Sequence, residues 1–409
     1  MKYNTIIIGG GAAGMCAAIL IKRKLKNENI LIIEALDRVG KKLIVTGNGR
    51  CNITNSQLEL SAYHGTDPNF CYSALTSYGY DFTDDFFMSL GIPLVEGENG
   101  KMYPYSLQAS SVVDALRIEL DLLGVEVKTG EKVSAVKKDG SGLCAVTDKG
   151  EYLSSNLVVA TGGCAGGEKL GSLGIGYKLL HQLGHSLVDV SASIVQLKTD
   201  LTPIKALNGI KINAQVTLYS NNKKMRSEIG ELLFTKYGVS GPPVLQVSGC
   251  YKNDSNSYLK INMMPEYTFN EIYELIKKRA KLLSSRTADM FFIGLLPKML
   301  GYTVLKYANI KLNSYISQFT DKDLKNLADI IYGFKISIIG DNGLDNAQVT
   351  SGGVSTGDFN CETMESKLCK GVYAIGEVLD IDGDCGGFNL QWAWSSAAAA
   401  AHAIIGKSV

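Results

Sequence analysis

The 409-residue sequence has no excess of either charge, with 41 Lys and Arg against 40 Asp and Glu. Taken over the whole chain, that balance gives no reason to expect nucleic acid or an anionic membrane as a partner. Nine cysteines run from Cys16 to Cys385 without a CxxC or a regular spacing. A disulfide scaffold is therefore not expected, and the pattern reads as reduced thiols in a cytoplasmic protein. Proline is rare, 8 residues against 44 glycines, which points to tight backbone approaches in place of rigid linkers. No apolar run reaches the ~20 residues of a membrane span. The stretch from Thr5 to Leu20 is interrupted by Gly9, Gly10, Gly11 and Gly14. The start, Met1-Lys2-Tyr3-Asn4, shows no basic region followed by a cleavage site, so no leader is expected. Low-complexity segments and repeats of roughly 20–50 residues are also missing.

What is present reads as a folded enzyme. The composition is 45% hydrophobic and 20% charged, and the length predicts two or three structural units. Thr5 to Ile8 predicts a buried strand, Ala12 to Lys24 a helix, and Ile30 to Ile33 a second strand ending at Glu34. This is a β-α-β unit, which implies a parallel sheet. Gly9, Gly11 and Gly14 form a GxGxxG between the strand and the helix. The first glycine permits the tight turn, the second lets backbone approach a pyrophosphate, and the third permits close helix–strand packing. The helix N-terminus, including Ala13, then faces the anion, and Glu34 can accept from ribose hydroxyls. An acid at position 34 also disfavours a 2′-phosphate.

Further along, helical patterns occupy Asn69 to Leu90 and Ser110 to Leu123. Short alternating runs follow at Val125–Thr129, Lys132–Lys137, Leu143–Thr147 and Glu151–Ser154, separated by Gly-containing turns at 139–142 and 148–150. A further buried strand enters the turn Ala160-Thr161-Gly162-Gly163. The character changes near Ser191, becomes helical from Phe269 to Leu327, and returns to glycine-rich turns from Gly340. The expected fold class is α/β, with domains at 1–190 with 340–409, at 191–265 with 329–339, and a helical insert at 266–328.

The choice between NAD and FAD rests on two later segments. Thr161-Gly162 after a β-meander and Tyr373-Ala374-Ile375-Gly376-Glu377 near the end have the pattern of FAD domains, with Glu377 beside the ribityl chain. Gly386, Gly387, Asn389 and Leu390 then open the last helix, whose free N–H groups can face the flavin pyrimidine.

These segments, with Gly49-Arg50-Cys51-Asn52-Ile53-Thr54-Asn55 and Gln391-Trp392-Ala393-Trp394-Ser395-Ser396, resemble the aminoacetone oxidase family of FAD-binding enzymes, also called BaiN-like or YhiN-like flavoproteins. The resemblance spans nearly the whole chain. It implies a Rossmann-like FAD-binding domain of the two-dinucleotide-binding-domain flavoprotein type, a β-rich middle domain and a helical insert. It also implies that Lys42, Gly49, Arg50, Cys51 and Val133 join the cofactor-binding set. Arg50, Cys51 and Asn52, near the isoalloxazine, are the catalytic candidates. This chain departs from the family at Asn48 (usually glycine), Ile175 (usually acidic) and Gln196 (usually proline). For function, the resemblance implies an NAD(P)H-dependent reductase of an enone, steroid-like or bile-acid-like, or an oxygen-using amine oxidase of the aminoacetone type. A non-catalytic flavin-binding protein is a third reading.

No second GxGxxG is present, so either NADH or NADPH docks transiently as donor without a dedicated Rossmann domain, or a different electron donor serves. Cys51 and Cys385 are read as small residues near the flavin, not a redox disulfide. His181 and His185 are read as helix-surface histidines, not metal ligands. Asp380, Asp382 and Asp384 lack the Glu that a calcium loop needs, since Gln391 stands there. Trp392 and Trp394 are read as core or pocket wall, and Tyr103 and Tyr105 as cleft or packing aromatics. The expected partner is a small-molecule substrate, with no nucleic acid, membrane or metal. The sequence does not specify an oligomeric state.

Overall fold

The structure is a computed structural model that describes residues 2–139, 142–253 and 256–408. The chain divides into two units: Met1–Ala192 with Leu344–Val409, and Ser193–Gly343.

The first unit is built on a seven-stranded sheet. Strand Lys2–Ile8 lies at its centre, parallel to Ile30–Ile33 on one side and to Glu151–Val159 on the other. Ile30 to Ile33 are all buried, as expected of a parallel strand covered on both faces. Helix Ala12–Lys24 follows the first strand with the predicted bounds. It packs against the C-terminal helix Phe388–Ser408. Ala397 to Ala401 on that helix are all buried, and their small side chains let the two backbones approach.

Two local expectations need correction. Glu151–Val159 is one strand, not a hairpin strand followed by a separate one. One edge pairs with Lys2–Ile8 along nearly its full length. The other is antiparallel to Gly142–Thr147 over its first half and parallel to Val372–Ala374 over its second. The polar residues Ser154-Ser155-Asn156 mark this change of partner, not a break in the strand. The helical region Asn69–Leu90 contains two α-helices, Tyr72–Ser77 and Tyr80–Ser89. They part at Gly79, where a Cβ would lie 2.6 Å from the Leu75 carbonyl oxygen. The turn expected at 139–142 includes Gly140 and Ser141, which lie outside the described residues.

The second unit contains a closed six-stranded barrel. Around it run Leu197–Thr199, Gly238–Ser240, Lys223–Thr235, Lys211–Ser220, Ser257–Asn262 and Phe334–Asp341, the last pairing back to the first. Alternate residues such as Val216, Leu218, Leu259, Ile261, Ile336 and Ile338 are buried in one core. Helices Phe269–Leu282, Lys298–Tyr307 and Asp321–Gly333 stand between the last two strands in sequence. Two of them begin with reciprocal capping boxes, Thr268 with Glu271 and Thr320 with Asp323.

Candidate functional site: a dinucleotide cradle

The first glycine turn is built by collisions that only glycine avoids. Gly9 has φ +105°, and a Cβ there would lie 2.5 Å from the Ala160 carbonyl oxygen. At Gly14 it would lie 2.0 Å from the Gly9 carbonyl oxygen, so the helix sits directly on the turn. Gly11 differs, since a Cβ there would meet nothing within 4 Å. The helix that begins after Gly11 has no side-chain cap and no acid in its first turn. Its N–H groups and positive dipole end therefore look into open space beside Gly11.

Glu34 closes the next side. One carboxylate oxygen accepts from the Gly10 N–H at 2.8 Å and the other from the Leu36 N–H at 2.8 Å. Burial raises its carboxyl above the ordinary value, and these backbone donors oppose the shift. Val133 is buried at the start of its strand. Nearby, the Glu131 N–H donates to the Glu34 carbonyl oxygen at 3.1 Å.

The later segments converge on the same unit. Lys42 Nζ lies 2.6 Å from Glu377 Oε2. The other Glu377 oxygen accepts from the Thr350 N–H at 2.8 Å. Gly162 has φ +68°, and a Cβ there would lie 3.8 Å from Glu377 Oε2. Thr161 flanks it. Gly376 packs on Ala13, to which a Cβ at 376 would come within 3.3 Å. Thr350 was not singled out from sequence, yet its hydroxyl accepts from the Cys164 and Ala165 N–H groups at 2.8 and 2.9 Å.

The 47–55 loop and the start of the C-terminal helix are tied to each other. Asn55 Nδ2 donates to the Gly386 carbonyl oxygen at 2.8 Å. A Cβ at Gly387 would lie 2.3 Å from the Thr54 carbonyl oxygen. Gln391 receives the hydroxyls of Thr54 and Thr83, and Trp394 Nε1 donates to the Ile53 carbonyl oxygen at 2.9 Å. Asn389 exchanges side-chain hydrogen bonds with both Gly383 backbone groups, so its amide holds the 383–387 turn. Gly387, Asn389 and Leu390 remain half-buried in the first turn of that helix.

Gly47, Asn48 and Gly49 all have positive φ, at 56°, 55° and 80°. Asn48 takes this conformation at no great cost, because asparagine tolerates the left-handed region. The Arg50 side chain sits over the Tyr103 ring, 5.1 Å from its centroid. Burial raises the Tyr103 hydroxyl, and Arg50 partly offsets this. Cys51 is buried, and burial pushes its thiol up to about 12. It therefore stays protonated at neutral pH and is a poor nucleophile. Asn52 Oδ1 is buried and has no hydrogen-bond partner among the described residues.

Several sequence candidates lie elsewhere. His185 is not on a helix surface: the helix ends at Gln182, and His185 is buried, stacked on Phe359 and bonded to Ser366. Asp380 accepts from the Thr66 N–H, and Asp384 pairs with His64 at 2.8 Å. Among the described residues no cluster of His, Cys, Asp or Glu could hold a metal ion. Trp392 and Trp394 are buried core residues, while Tyr105 is exposed. No helix among the described residues is long and apolar enough to cross a membrane.

Three observations fit FAD to this cradle: the open space at Gly11, the uncapped helix beside it, and the orphan oxygen of Asn52. Fold and site define the class, an FAD-dependent oxidoreductase on a Rossmann-type domain. The chain belongs to the family described as HI0933-like protein Rossmann domain, whose pattern matches residues 3–403. It is 36% identical over 395 residues to a 3-dehydro-bile acid delta(4,6)-reductase of Clostridium scindens, covering 95% of this chain and 96% of that one. It is 32% identical over 409 residues to a ribosomal RNA dihydrouridine synthase of Haemophilus influenzae, covering 98% of each. Among solved structures, a 3-ketosteroid delta1-dehydrogenase from Sterolibacterium denitrificans shares the fold. That match has a TM-score of 0.56 at 13% identity and covers 99% of this chain and 100% of that one.

Proposed function

We propose that the protein reduces a carbon–carbon double bond conjugated to a carbonyl, with NADH or NADPH as electron donor. One observation carries this reading. The activities named for two whole-length relatives differ in substrate yet share a reaction type. Reducing a 3-dehydro-bile acid at delta(4,6) and making dihydrouridine both saturate a double bond conjugated to a carbonyl. The greater identity, 36%, is to the bile-acid enzyme, so an enone of steroid or bile-acid type is the substrate class we assign.

In this reading Gly9, Gly11, Ala13 and Gly14 hold the pyrophosphate, Glu34 takes the ribose hydroxyls, and Val133 lies beside the adenine. Thr161, Gly162, Gly376 and the Lys42–Glu377 pair would border the ribityl chain. Gly49, Arg50, Cys51 and Asn52, with Gly386, Gly387, Asn389 and Leu390, would hold the ring. FAD held there would supply hydride chemistry. The chain itself supplies position and charge. Arg50 binds the carbonyl oxygen and stabilises the negative charge that develops there as the β-carbon is reduced. Solvent then supplies the proton to the α-carbon.

The test is an anaerobic titration of the flavin-loaded protein with NADH and then NADPH. Loss of the oxidised-flavin band, followed by its recovery on adding a 3-keto-4-ene steroid, is the expected result. Bleaching by aminoacetone and by neither nicotinamide would replace this reading with an amine oxidase. No bleaching by any of them would leave a flavin-binding protein without turnover.

A further inference from the structure

The barrel of the second unit leaves one strand edge open. Strand Lys223–Thr235 is 13 residues long. One edge pairs with Lys211–Ser220 from Lys223 to Leu233. On the other, among the described residues, strand pairing covers only Leu233 to Thr235, opposite Gly238–Ser240. Gly241 closes this edge at Glu231, since a Cβ there would lie 2.1 Å from the Glu231 carbonyl oxygen. The stretch from Lys223 to Gly230 therefore offers backbone donors and acceptors to a further strand.

Proteins blunt such edges with lysines and bulges. Lys223 and Lys224 stand at one end, and Met225 is the extra residue where the register shifts between Leu218 and Tyr219. These devices repel an arbitrary strand, but the edge is not uniformly hostile. Ile229 is 60% exposed and Met225 40%. The charges also separate along the strand, with Lys223, Lys224 and Arg226 first, then Glu228 and Glu231.

That order is complementary to itself. With two copies laid antiparallel about a two-fold axis at Ser227, Lys223 faces the partner's Glu231 and Arg226 faces the partner's Glu228. Met225 faces the partner's Ile229, and Lys224 faces the partner's Gly230, which adds no side chain. Within one chain Arg226 Nε lies 2.7 Å from Glu228 Oε1, on the strand face shared with Leu218 and Val216. Two such pairs meeting head to tail make a quartet of alternating charge, as favourable cross-strand pairs require. The neighbouring registers that keep the faces matched fail this test. An axis at Arg226 sets that residue against its own copy, and an axis at Glu228 does the same for the carboxylate.

We propose that two copies of this chain join as a two-fold dimer through the open edge of strand Lys223–Thr235, antiparallel about Ser227. The reading is independent of the flavin chemistry, since it needs neither reductant nor turnover.

The experiment is sedimentation velocity of the full-length, flavin-loaded protein across a concentration series. Reversible dimerisation is expected. An acidic-edge variant, Lys223→Glu with Arg226→Glu, turns both facing charge pairs like-signed. A basic-edge variant, Glu228→Lys with Glu231→Lys, does the same. Each should lose at least about tenfold in self-association. Mixed in equal amounts, the two should form a one-to-one heterodimer, because every facing pair is then opposite in sign, and salt should weaken it. Ile229→Lys should also dissociate the dimer, and its exposed position guards against misfolding of the charge variants. Ile293→Lys, exposed to 59% but outside the strand, should dimerise as the parent does. The proposal is overturned if the parent stays monomeric at every concentration, or if the dimer persists unchanged in Ile229→Lys. It is also overturned if the two charge variants each melt with the parent and do not pair when mixed. Growth of the parent into assemblies beyond two copies would overturn it as well, since a two-fold contact closes on itself.

Discussion

Lys42 and Glu377, 335 residues apart in sequence, meet at 2.6 Å in the first unit. The pair joins the segment after the first glycine turn to the segment before the C-terminal helix. Its side chains keep 30% and 19% of their exposure. Solvent screens it, and its direct worth to folding is about 1 kcal/mol or less. Glu377→Gln should therefore leave the melting temperature nearly unchanged. The loss should appear in FAD affinity, as an increase in Kd of about tenfold, since ~1.4 kcal/mol of positioning suffices for that. Quenching of FAD fluorescence on titration into apoprotein measures it.

Glu34 should make FAD binding pH-dependent. Its folded carboxyl is raised by burial, so in the free protein its contribution to stability is present below the ordinary carboxylate value and is lost as pH rises through the raised one. Ribose hydroxyls donate to the ionised form and favour it. FAD affinity should therefore rise with pH through the same window, from the ordinary carboxylate range upward. Glu34→Gln should bind FAD more weakly and flatten that slope. Kd measured over a pH series with both proteins decides it, and an unchanged slope in the variant would count against the ribose assignment.

Gly11 and Gly14 are both motif glycines, but they should fail in different ways. A methyl at Gly14 would lie 2.0 Å from the Gly9 carbonyl oxygen. Forcing it in should cost about 2–3 kcal/mol and lower the apoprotein melting temperature by roughly 5 °C or more. A methyl at Gly11 meets nothing within 4 Å. Gly11→Ala should melt with the parent and still lose FAD affinity by about tenfold or more, because the methyl fills space that the pyrophosphate needs. Thermal melts of the apoproteins beside FAD titrations separate the two.

How much of this was legible in the sequence varies with the range of the interactions involved. The first turn and helix were read to the residue, because the glycine spacing is itself the record of the collisions at Gly9 and Gly14, whereas the first strand was read from Thr5 and begins at Lys2. Glu151–Val159 was divided in two because Ser154, Ser155 and Asn156 look like a break. What they mark is a change of neighbour, which is a tertiary event with no local signal. His185 looked like a helix residue by spacing alone, and Gly184, at φ 93°, had already turned the chain. The 47–55 loop has no periodicity, so only family likeness drew attention to Arg50 and Asn52.

Arg50 tests whether the ring-side loop takes part in turnover. Its guanidinium rests on Tyr103, 5.1 Å from the ring centroid, and the residue is exposed. Removing it should leave the fold and FAD binding close to normal, because no buried group loses a partner. If it stabilises charge on a substrate carbonyl, Arg50→Ala should slow the step in which the reduced flavin is reoxidised by the enone. One lost charge-assisted contact of this kind is worth about 10²–10³ in rate. Reduction of the flavin by NADH or NADPH should proceed at the parent's rate. Arg50→Lys should recover part of the loss, as a cation without the guanidinium's flat fork. Stopped-flow measurement of the two half-reactions reads both rates in one protein. Equal slowing of both would assign Arg50 to holding the 47–52 loop and not to the carbonyl.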